Sequence, residues 1–398
     1  MISSLKNRNF FLLWLGMFAS YNGMQMLIIA RGWLVYTMTE SPLALGLVAA
    51  GMGAPIVLFS IFGGAVADRV RKRNLLLVTQ SCICLLNVTM TILISTHLVA
   101  LWHLVVSSIL TGVIFSFSMP TRQALIVELV GPDDLTNAIA INSMAMNICR
   151  IASPALAGLL IKLIDIPGVY WIVVFSYGTS LVTLIMIPPG GVTTAGPHVP
   201  LIRDVVVGLR YIRDNATLLA LLVIAIVPIL FATPYQMLMP VFAKSIFKVG
   251  ETGLGLLMSA GGVGALCGSA FIASLGNIQR KGLLMLLTGT IFGTALVLFG
   301  LSKSLLAAFI CLVFVGSGGS MFMTLITSLI MINTPKNLIG RVMSIFIMTF
   351  GLMPLAMLPA GALAKVFGAP LIVSVGSGIF TLILLGMALS QPRIRQLS

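Results

Sequence analysis

Charged residues are scarce in this chain of 398 residues, where Asp, Glu, Lys and Arg together make up 8% of the sequence. A soluble domain carries about a quarter charged residues. Nine acids and 23 basic residues are too few to cover the surface of a soluble protein of this length. The shortage excludes a soluble enzyme and a disordered chain. An apolar fraction of 59% indicates that lipid is the solvent for most of the chain.

Cysteine and the common catalytic motifs are equally sparse. The five cysteines lie inside apolar stretches and show no metal-ligand spacing with a histidine, so we interpret them as small buried hydrophobes. The sequence contains no phosphate-binding G-x-x-x-x-G-K-[ST] loop and no nucleophile–base pair. We therefore expect no enzyme activity, no metal and no cofactor, and we expect any energy source to be a gradient.

Apolar stretches of about 20 residues, the length that crosses a bilayer as a helix, recur along the whole chain. The first, from Phe10 onward, is too long for a cleavable signal peptide. Charged or Pro/Gly-rich turns separate the stretches, as in the basic run from Arg69 to Arg73. The pattern predicts twelve spans: 9–37, 43–66, two within 74–121, 137–163, 168–188, 216–243, 252–275, 282–301, 305–330, 342–366 and 369–390.

The middle of the chain interrupts this pattern. Residues 189–200 are dense in Pro and Gly, which is typical of a linker. Residues 201–214 alternate charged and apolar positions at helical spacing, which predicts an amphipathic helix on the membrane surface. We therefore expect an all-α membrane protein of two pseudo-symmetric six-helix bundles, 1–188 and 216–398, joined by a cytoplasmic linker with an amphipathic helix, 189–215.

The basic residues are distributed asymmetrically between the predicted loops. Sixteen of the 23 fall on one side of the membrane, and positively charged loops face the cytoplasm. Both termini are therefore expected in the cytoplasm. The net charge of +14 is then an orientation signal and does not indicate a nucleic-acid partner.

The two halves of the chain share an internal repeat. Five residues recur 203 positions later: Pro132, Leu135, Ala157, Gly158 and Lys162 correspond to Pro335, Leu338, Ala360, Gly361 and Lys365. Each half has an even number of predicted spans, so both enter the membrane from the same side. This predicts a parallel duplication about an axis along the membrane normal, with halves that enclose one cavity and rock against each other.

Polar side chains at mid-depth are the candidates for this cavity, because ionisable groups in a membrane are costly. Arg150 lies near the middle of its span, and none of the nine acids falls inside a predicted span. Arg150 can instead bond to backbone carbonyls near Pro154, and Arg31 can reach the outer interface. A cationic cavity suits amphipathic neutral or anionic organic molecules. The candidates are Tyr21, Asn22, Gln25, Arg31, Asn142, Asn147, Arg150, Tyr235 and Gln236.

The loop between the second and third spans reads Gly64-Ala-Val-Ala-Asp-Arg-Val-Arg-Lys-Arg73. Asp68 can lie at a helix N-terminus, where the helix dipole favours negative charge. The basic residues can pair with Glu128, near the end of the fourth span. We expect a cytoplasmic latch formed while this side is closed. Its candidate residues are Gly64, Asp68, Arg69, Lys72, Arg73, Glu128 and Arg341.

This loop resembles the signature G-x-L-A-D-R-x-G-R-K of the major facilitator superfamily, with Arg71 where the family has Gly. Ser153-Pro154-Ala-Leu-Ala157-Gly158 resembles the G-P-x-x-G-G motif of exporters in that superfamily. Residues 32–46 and 335–344 resemble the branch that contains the enterobactin exporter. The resemblance covers essentially the whole chain. It implies a monomeric secondary transporter in the bacterial inner membrane that exports small molecules by alternating access.

Two questions stay open in the sequence. The R-x-x-x-G motif of proton-driven exporters lacks its Arg between His103 and Pro120, which leaves proton coupling undecided. Two other functions also fit the sequence. One is a lipid or lysophospholipid transporter, and the other is a membrane sensor or scaffold that has lost transport.

Overall fold

The computed structural model describes residues 4–188, 209–275, 280–335, 338–391, 395 and 397. Its regular structure is helical, and the described residues contain no strand. The α-helices are α1 (Arg8–Thr39), α2 (Pro42–Arg69), α3 (Lys72–Ser95), α4 (Leu101–Met186), α5 (Ala216–Phe231), α6 (Tyr235–Val241), α7 (Gly250–Ser274), α8 (Lys281–Leu301), α9 (Leu305–Ile332), α10 (Ile339–Thr349), α11 (Met353–Phe367) and α12 (Ala369–Ser390).

The helix α4 is a run of 86 residues with two backbone breaks. Gly131 has φ 72° and Asp165 has φ 57°, both outside the helical region. The breaks divide the run into three segments, which we call α4a (101–130), α4b (132–164) and α4c (166–186). These segments correspond to the fourth, fifth and sixth predicted spans.

Eleven stretches among the described residues are long and apolar enough to cross a membrane. One of them, Asp134–Met186, is 53 residues long and contains the break at Asp165. Most predicted spans agree with the observed helices to within a few residues. The exceptions are the fourth span, which was expected to end by 121 and continues to 130, the seventh, which divides into α5, α6 and a π-helical turn Phe242–Ile246, and the eleventh, which divides into α10 and α11. These lengths and compositions make the chain an integral membrane protein.

The first helix of each sequence half begins in the same way. The Asn7 side chain accepts hydrogen bonds from the amides of Asn9 and Phe10 ahead of α1. The Asn215 side chain accepts from the amides of Thr217 and Leu218 ahead of α5. An N-cap of this kind satisfies backbone donors that would otherwise have no partner at a helix end. The first helix of each sequence half is therefore capped by an asparagine.

Four reversals of the chain use a non-glycine residue at positive φ. They occur at Glu40 (φ 49°), His97 (φ 58°), Asp165 (φ 57°) and Lys248 (φ 56°). Each lies between two consecutive membrane-length helices, on the side that the charge distribution predicts to be external. A left-handed residue turns the chain within one to a few positions, so these connections are short.

The chain forms two compact units. The first comprises 1–40, 51–198 and 250–256, and the second comprises 41–50, 199–249 and 257–398. The start of α2 therefore groups with the second half of the sequence, and the start of α7 with the first half. The division expected from the sequence, 1–188 and 216–398, instead places the start of α2 in the first half and the start of α7 in the second half. Residues 189–208 of the predicted linker lie outside the described residues. Residues 209–214, near its end, form a helical turn.

Each unit has its own core. In the first unit, Phe10, Leu13, Leu76, Ile126 and Leu184 join α1, α3, α4a and α4c. In the second unit, the rings of Phe292 and Phe322 meet Phe380 edge to face. Lipid is as apolar as these side chains, so close packing rather than exclusion of water holds such helices together.

Candidate functional site

The segment α4b has one polar face and one apolar face. Ser143, Asn147, Arg150, Pro154 and Gly158 recur at helical spacing and therefore share a face. The opposite face carries exposed apolar residues, namely Met144, Ile148, Leu159 and Leu163. The two faces have the composition expected for contact with polar groups on one side and with lipid on the other.

Arg150 is exposed on the polar face of α4b. In the described part of the chain it has neither a hydrogen bond nor an ion pair. One and two turns further along the same face, Pro154 and Gly158 contact Gly255 of α7 within the first unit. The guanidinium therefore lies on the side of the helix that faces protein at this end, rather than on the apolar side.

The helix α1 packs along α4b and presents its own partly exposed face. Trp14 Nε1 donates to the Ile141 carbonyl at 3.4 Å, and Cys149 Sγ lies 3.7 Å from the Phe18 carbonyl. Tyr21, Asn22 and Gln25 lie half-buried, one to two turns beyond Phe18. Tyr21 and Gln25 share a face with the stacked rings of Trp14 and Phe18, whose centroids are 5.7 Å apart. We call the group Tyr21, Asn22, Gln25, Asn147 and Arg150 the polar surface of the first unit.

Two predicted cavity residues lie inside the first unit instead of on this surface. Arg31 is 7% exposed, and its Nη1 donates to the Ser108 hydroxyl at 2.7 Å. It therefore does not extend to the outer interface. Asn142 is 4% exposed, on the face of α4b that packs into the bundle. Sequence spacing gave the depth of both residues along their helices but not the direction in which they point.

Arg122 is a functional candidate that the sequence pattern missed. From its sequence, Arg122 counts among the basic residues expected on the inner side, yet it lies within α4a and is 7% exposed. Its Nε donates to the Ser118 hydroxyl at 3.2 Å, and its guanidinium carbon lies 5.7 Å from the centroid of the Tyr21 ring. The apolar run Ala124-Leu-Ile-Val127 that follows it was the signal that the span continues.

The predicted latch residues are described only in part. The surroundings of Gly64 and the side chain of Asp68 lie outside what the structure describes, and Arg69 is exposed. Lys72 Nζ lies 3.1 Å from Glu128 Oε2, which is the pairing expected from the sequence. Arg73 donates to the Leu184 carbonyl at 3.1 Å and to the Ile185 carbonyl at 2.8 Å. These bonds connect the start of α3 to the ends of α4a and α4c. Arg341 lies half-buried in α10 of the second unit.

The ion pair gives a direct prediction about stability. Lys72→Met should lower the free energy of unfolding by about 1–3 kcal/mol, because the half-buried Glu128 carboxylate loses its partner. The exchanged pair Lys72→Glu with Glu128→Lys should recover part of the loss. Thermal unfolding of the detergent-purified protein measures both, with Arg69→Met as the exposed control. An unchanged melting temperature in Lys72→Met would show that the pair does not stabilise this end.

The exporter-like motif lies where two helices cross closely. Ser153, Pro154, Ala157 and Gly158 are buried in α4b. A Cβ built on Gly158 would lie 2.4 Å from the Glu251 carbonyl oxygen and 3.1 Å from Gly255 Cα. Only glycine allows this approach. The Thr252 hydroxyl also donates to the Gly158 carbonyl at 3.4 Å.

The repeat partner of Gly158 makes an equivalent crossing in the second unit. A Cβ on Gly361 would lie 2.8 Å from the Pro42 carbonyl oxygen and 3.3 Å from Gly46 Cα. In both units, therefore, a glycine of the motif region packs against a glycine near the start of another membrane-length helix. The Gly158–Gly255 and Gly46–Gly361 contacts are called the glycine crossings below.

Tyr235 and Gln236 lie half-buried at the start of α6 in the second unit. A turn at 232–234 separates α5 from α6, and the Thr233 hydroxyl donates to the Pro228 and Ile229 carbonyls at 2.8 Å and 2.9 Å. Proline at 228 and 240 removes backbone donors from this region. The seventh predicted span is thus a broken helix, and the two polar residues follow directly after its break.

No group of three or more His, Cys, Asp or Glu side chains among the described residues could hold a metal ion. Apolar and small residues otherwise dominate both units. The chemistry available on the polar surface is hydrogen bonding, aromatic contact and one positive charge.

Comparison with known proteins gives one family over nearly the whole chain. A family model described as "Transmembrane secretion effector" matches residues 1–397. The chain is 24% identical to the staphyloferrin A transporter of Staphylococcus aureus (strain NCTC 8325 / PS 47), with 85% of each protein covered. It is 25% identical to the enterobactin exporter EntS of Shigella flexneri, covering 82% of this chain and 78% of that protein.

A third relative is the macrolide efflux protein A of Streptococcus pyogenes, at 22% identity over 87% of this chain and 86% of that protein. Among solved structures, a mutant of the peptide transporter POT superposes with a TM-score of 0.77 at 14% identity. The superposition covers 98% of this chain and 95% of that one. At this identity the structural likeness establishes the fold alone.

Proposed function

Because this chain belongs to the transmembrane secretion effector family of the major facilitator superfamily, we propose that it is a secondary transporter that exports small organic molecules from the cytoplasm. The proposed substrates are amphipathic and neutral or anionic, like siderophores or drugs. The proposed location is a bacterial inner membrane, with both termini in the cytoplasm and the protein as a monomer. Its relatives are transporters, and the protein is not an enzyme.

Arg150 is the observation that carries the substrate class. An exposed guanidinium with no partner among the described residues can donate up to five N–H groups to a ligand. Arg bonds to a carboxylate or a phosphate are stronger than bonds between neutral groups. Asn147 and Gln25 on the same polar surface add neutral donors and acceptors, and the ring of Tyr21 adds an apolar contact. A cationic substrate would find repulsion at this position.

The proposed architecture has twelve spans in two six-helix bundles, with the break at Asp165 separating the fifth span from the sixth. The 53-residue stretch Asp134–Met186 supports this count, because a straight helix of that length would be far longer than a bilayer is thick. The shared Asn caps and the two glycine crossings support a duplication.

We propose alternating access as the mechanism, with contacts at the two ends of the helices forming in turn. The glycine crossings lie toward the end that the charge distribution predicts to be external. The Lys72–Glu128 pair lies toward the predicted cytoplasmic end. A crossing of two glycines loses little contact area when it parts, which suits a reversible closure. The Lys72–Glu128 pair joins α3 and α4a and holds the cytoplasmic end of the first bundle together.

Transport assays in inside-out membrane vesicles test the function. Enterobactin, staphyloferrin A and a macrolide should be offered separately, with lysophospholipid as a fourth arm. Accumulation of one of the first three, absent from vesicles without the protein, is the expected result. Transport of lysophospholipid alone would make the protein a lipid transporter, and the absence of transport in all four arms would overturn the proposed substrate class. Repeating the active arm with the pH gradient dissipated tests proton coupling.

A further inference from the structure

A row of three aromatic rings lies along the first half of α1. Phe11, Trp14 and Phe18 are spaced three and four residues apart, so they share one face of the helix. The ring centroids of Phe11 and Trp14 are 6.4 Å apart and those of Trp14 and Phe18 are 5.7 Å apart, with planes inclined by 29° and 23°. These are the distances of offset-stacked rings. We call the three residues the aromatic row.

The rings of the aromatic row are open on one side. Phe11 is 41% exposed, and Trp14 and Phe18 are half-buried. The other clusters of three rings in the described part of the chain are centred on Phe242 and Phe380, which are fully buried. Those clusters are core packing, whereas the aromatic row leaves ring surface accessible to a ligand.

The face of α1 that carries the aromatic row becomes polar at mid-depth. Tyr21 and Gln25 continue the row on the same face and are half-buried. A side-chain amide that faced acyl chains would be left without hydrogen-bond partners, which is costly. The face is therefore suited to a cavity that is apolar near the start of α1 and polar further along, and it continues directly into the polar surface of the first unit.

Two contacts place Arg150 close to the depth of the aromatic row. Cys149 Sγ lies 3.7 Å from the Phe18 carbonyl, and Trp14 Nε1 donates to the Ile141 carbonyl at 3.4 Å. The second bond fixes the indole against α4b and satisfies its one polar atom. The axes of packed helices lie about 8–10 Å apart, so a molecule of two fused rings is long enough to reach from the row to the guanidinium of Arg150.

We propose that the exported substrate is an aryl acid, whose aromatic ring lies on Trp14 and Phe18 while its acidic group bonds to Arg150. This inference rests on the proposed function and names the substrate class of the same site. An aromatic ring on the row gains the stacking and edge-to-face contacts that a saturated ring lacks. A carboxylate accepts two parallel N–H bonds from a guanidinium. Phe11 is the first ring that a substrate meets on its way from the predicted cytoplasmic end.

The test measures the binding of 2-naphthoate and of its saturated analogue, decahydro-2-naphthoate, to the full-length protein in detergent by calorimetry. The two probes share the acid and the fused-ring skeleton and differ in aromaticity. The wild type should bind 2-naphthoate about tenfold more tightly. Trp14→Leu and Phe18→Leu should each remove most of this preference, with a much smaller change in the Kd of the saturated acid. Trp102→Leu, at a tryptophan that is 62% exposed on α4a, is the matched control and should keep the preference.

Arg150→Gln should weaken the binding of both acids to a similar extent. Equal Kd values for the two acids in the wild type would overturn the inference, and so would a preference that survives in both Trp14→Leu and Phe18→Leu. The failure of both acids to bind at about 1 mM would do so as well. In each of these cases, transport of another substrate in the vesicle assay would leave the proposed export standing. Ring-dependent binding without transport of any substrate would instead refute export and keep the binding site.

Discussion

Arg150→Gln should lower the transport rate of an anionic substrate by about ten- to a hundredfold, the loss expected when a ligand no longer bonds to a charged group. Glutamine keeps polar donors at the position but removes the positive charge. The exposed guanidinium has no described partner that could become unpaired, so the variant should insert and melt like the wild type. The measurement is the initial uptake rate into inside-out vesicles at matched protein amounts.

Lys162→Gln is the matched control, since Lys162 is an exposed basic residue on the same segment α4b. It should leave the rate unchanged. Arg150→Lys should retain a part of the transport activity, because lysine keeps the positive charge but cannot make the bidentate hydrogen bonds of a guanidinium. Wild-type transport in Arg150→Gln would remove Arg150 from the substrate site and with it the main argument for an anionic or neutral substrate.

Gly158→Val should reduce transport at least tenfold and destabilise the protein by about 1–3 kcal/mol, the usual cost of overpacking. The added Cβ would lie 2.4 Å from the carbonyl oxygen of Glu251, which is a backbone atom and cannot rotate away. The helices must therefore separate at this crossing. Gly361→Val should act in the same direction, since its Cβ would lie 2.8 Å from the Pro42 carbonyl.

Gly178→Val provides the comparison for this second prediction. Gly178 lies in α4c, and a Cβ there has no atom within 4 Å, so the substitution tests the general cost of valine in a span. Vesicle transport and melting in detergent are measured for all three variants. Equal behaviour of Gly158→Val and Gly178→Val would mean that the close approach at the first crossing has no role in transport or stability.

The positions of the spans were predictable, and the orientations of their side chains were not. The spans follow from runs of about 20 apolar residues between short polar turns, and membrane length leaves little freedom in their bounds. The direction of a side chain depends on amphipathic contrast, which is weak when nearly every neighbour is apolar. Arg31 and Asn142 were therefore expected in the cavity and lie inside the bundle, whereas Lys72 and Glu128 were correctly paired because charged groups near a helix end have few alternative partners.

Helix breaks and buried cations were also not predictable from the sequence. Arg122 was assigned to the inner loops because a charge usually ends a span, yet hydroxyls and an aromatic ring surround it within α4a. At the break at 232–234 the Thr233 hydroxyl bonds to the Pro228 and Ile229 carbonyls, and the prolines alone could equally have produced a kink.

The left-handed turns at Glu40, His97, Asp165 and Lys248 have a consequence for biosynthesis. At His97 the short connection keeps α3 beside α4a, and the Lys72–Glu128 pair joins the other ends of the same two helices. We therefore expect this pair to leave the translocon as a helical hairpin that shields its own polar groups from lipid before later helices arrive, whereas Glu40 and Lys248 lead into helix starts that group with the other unit.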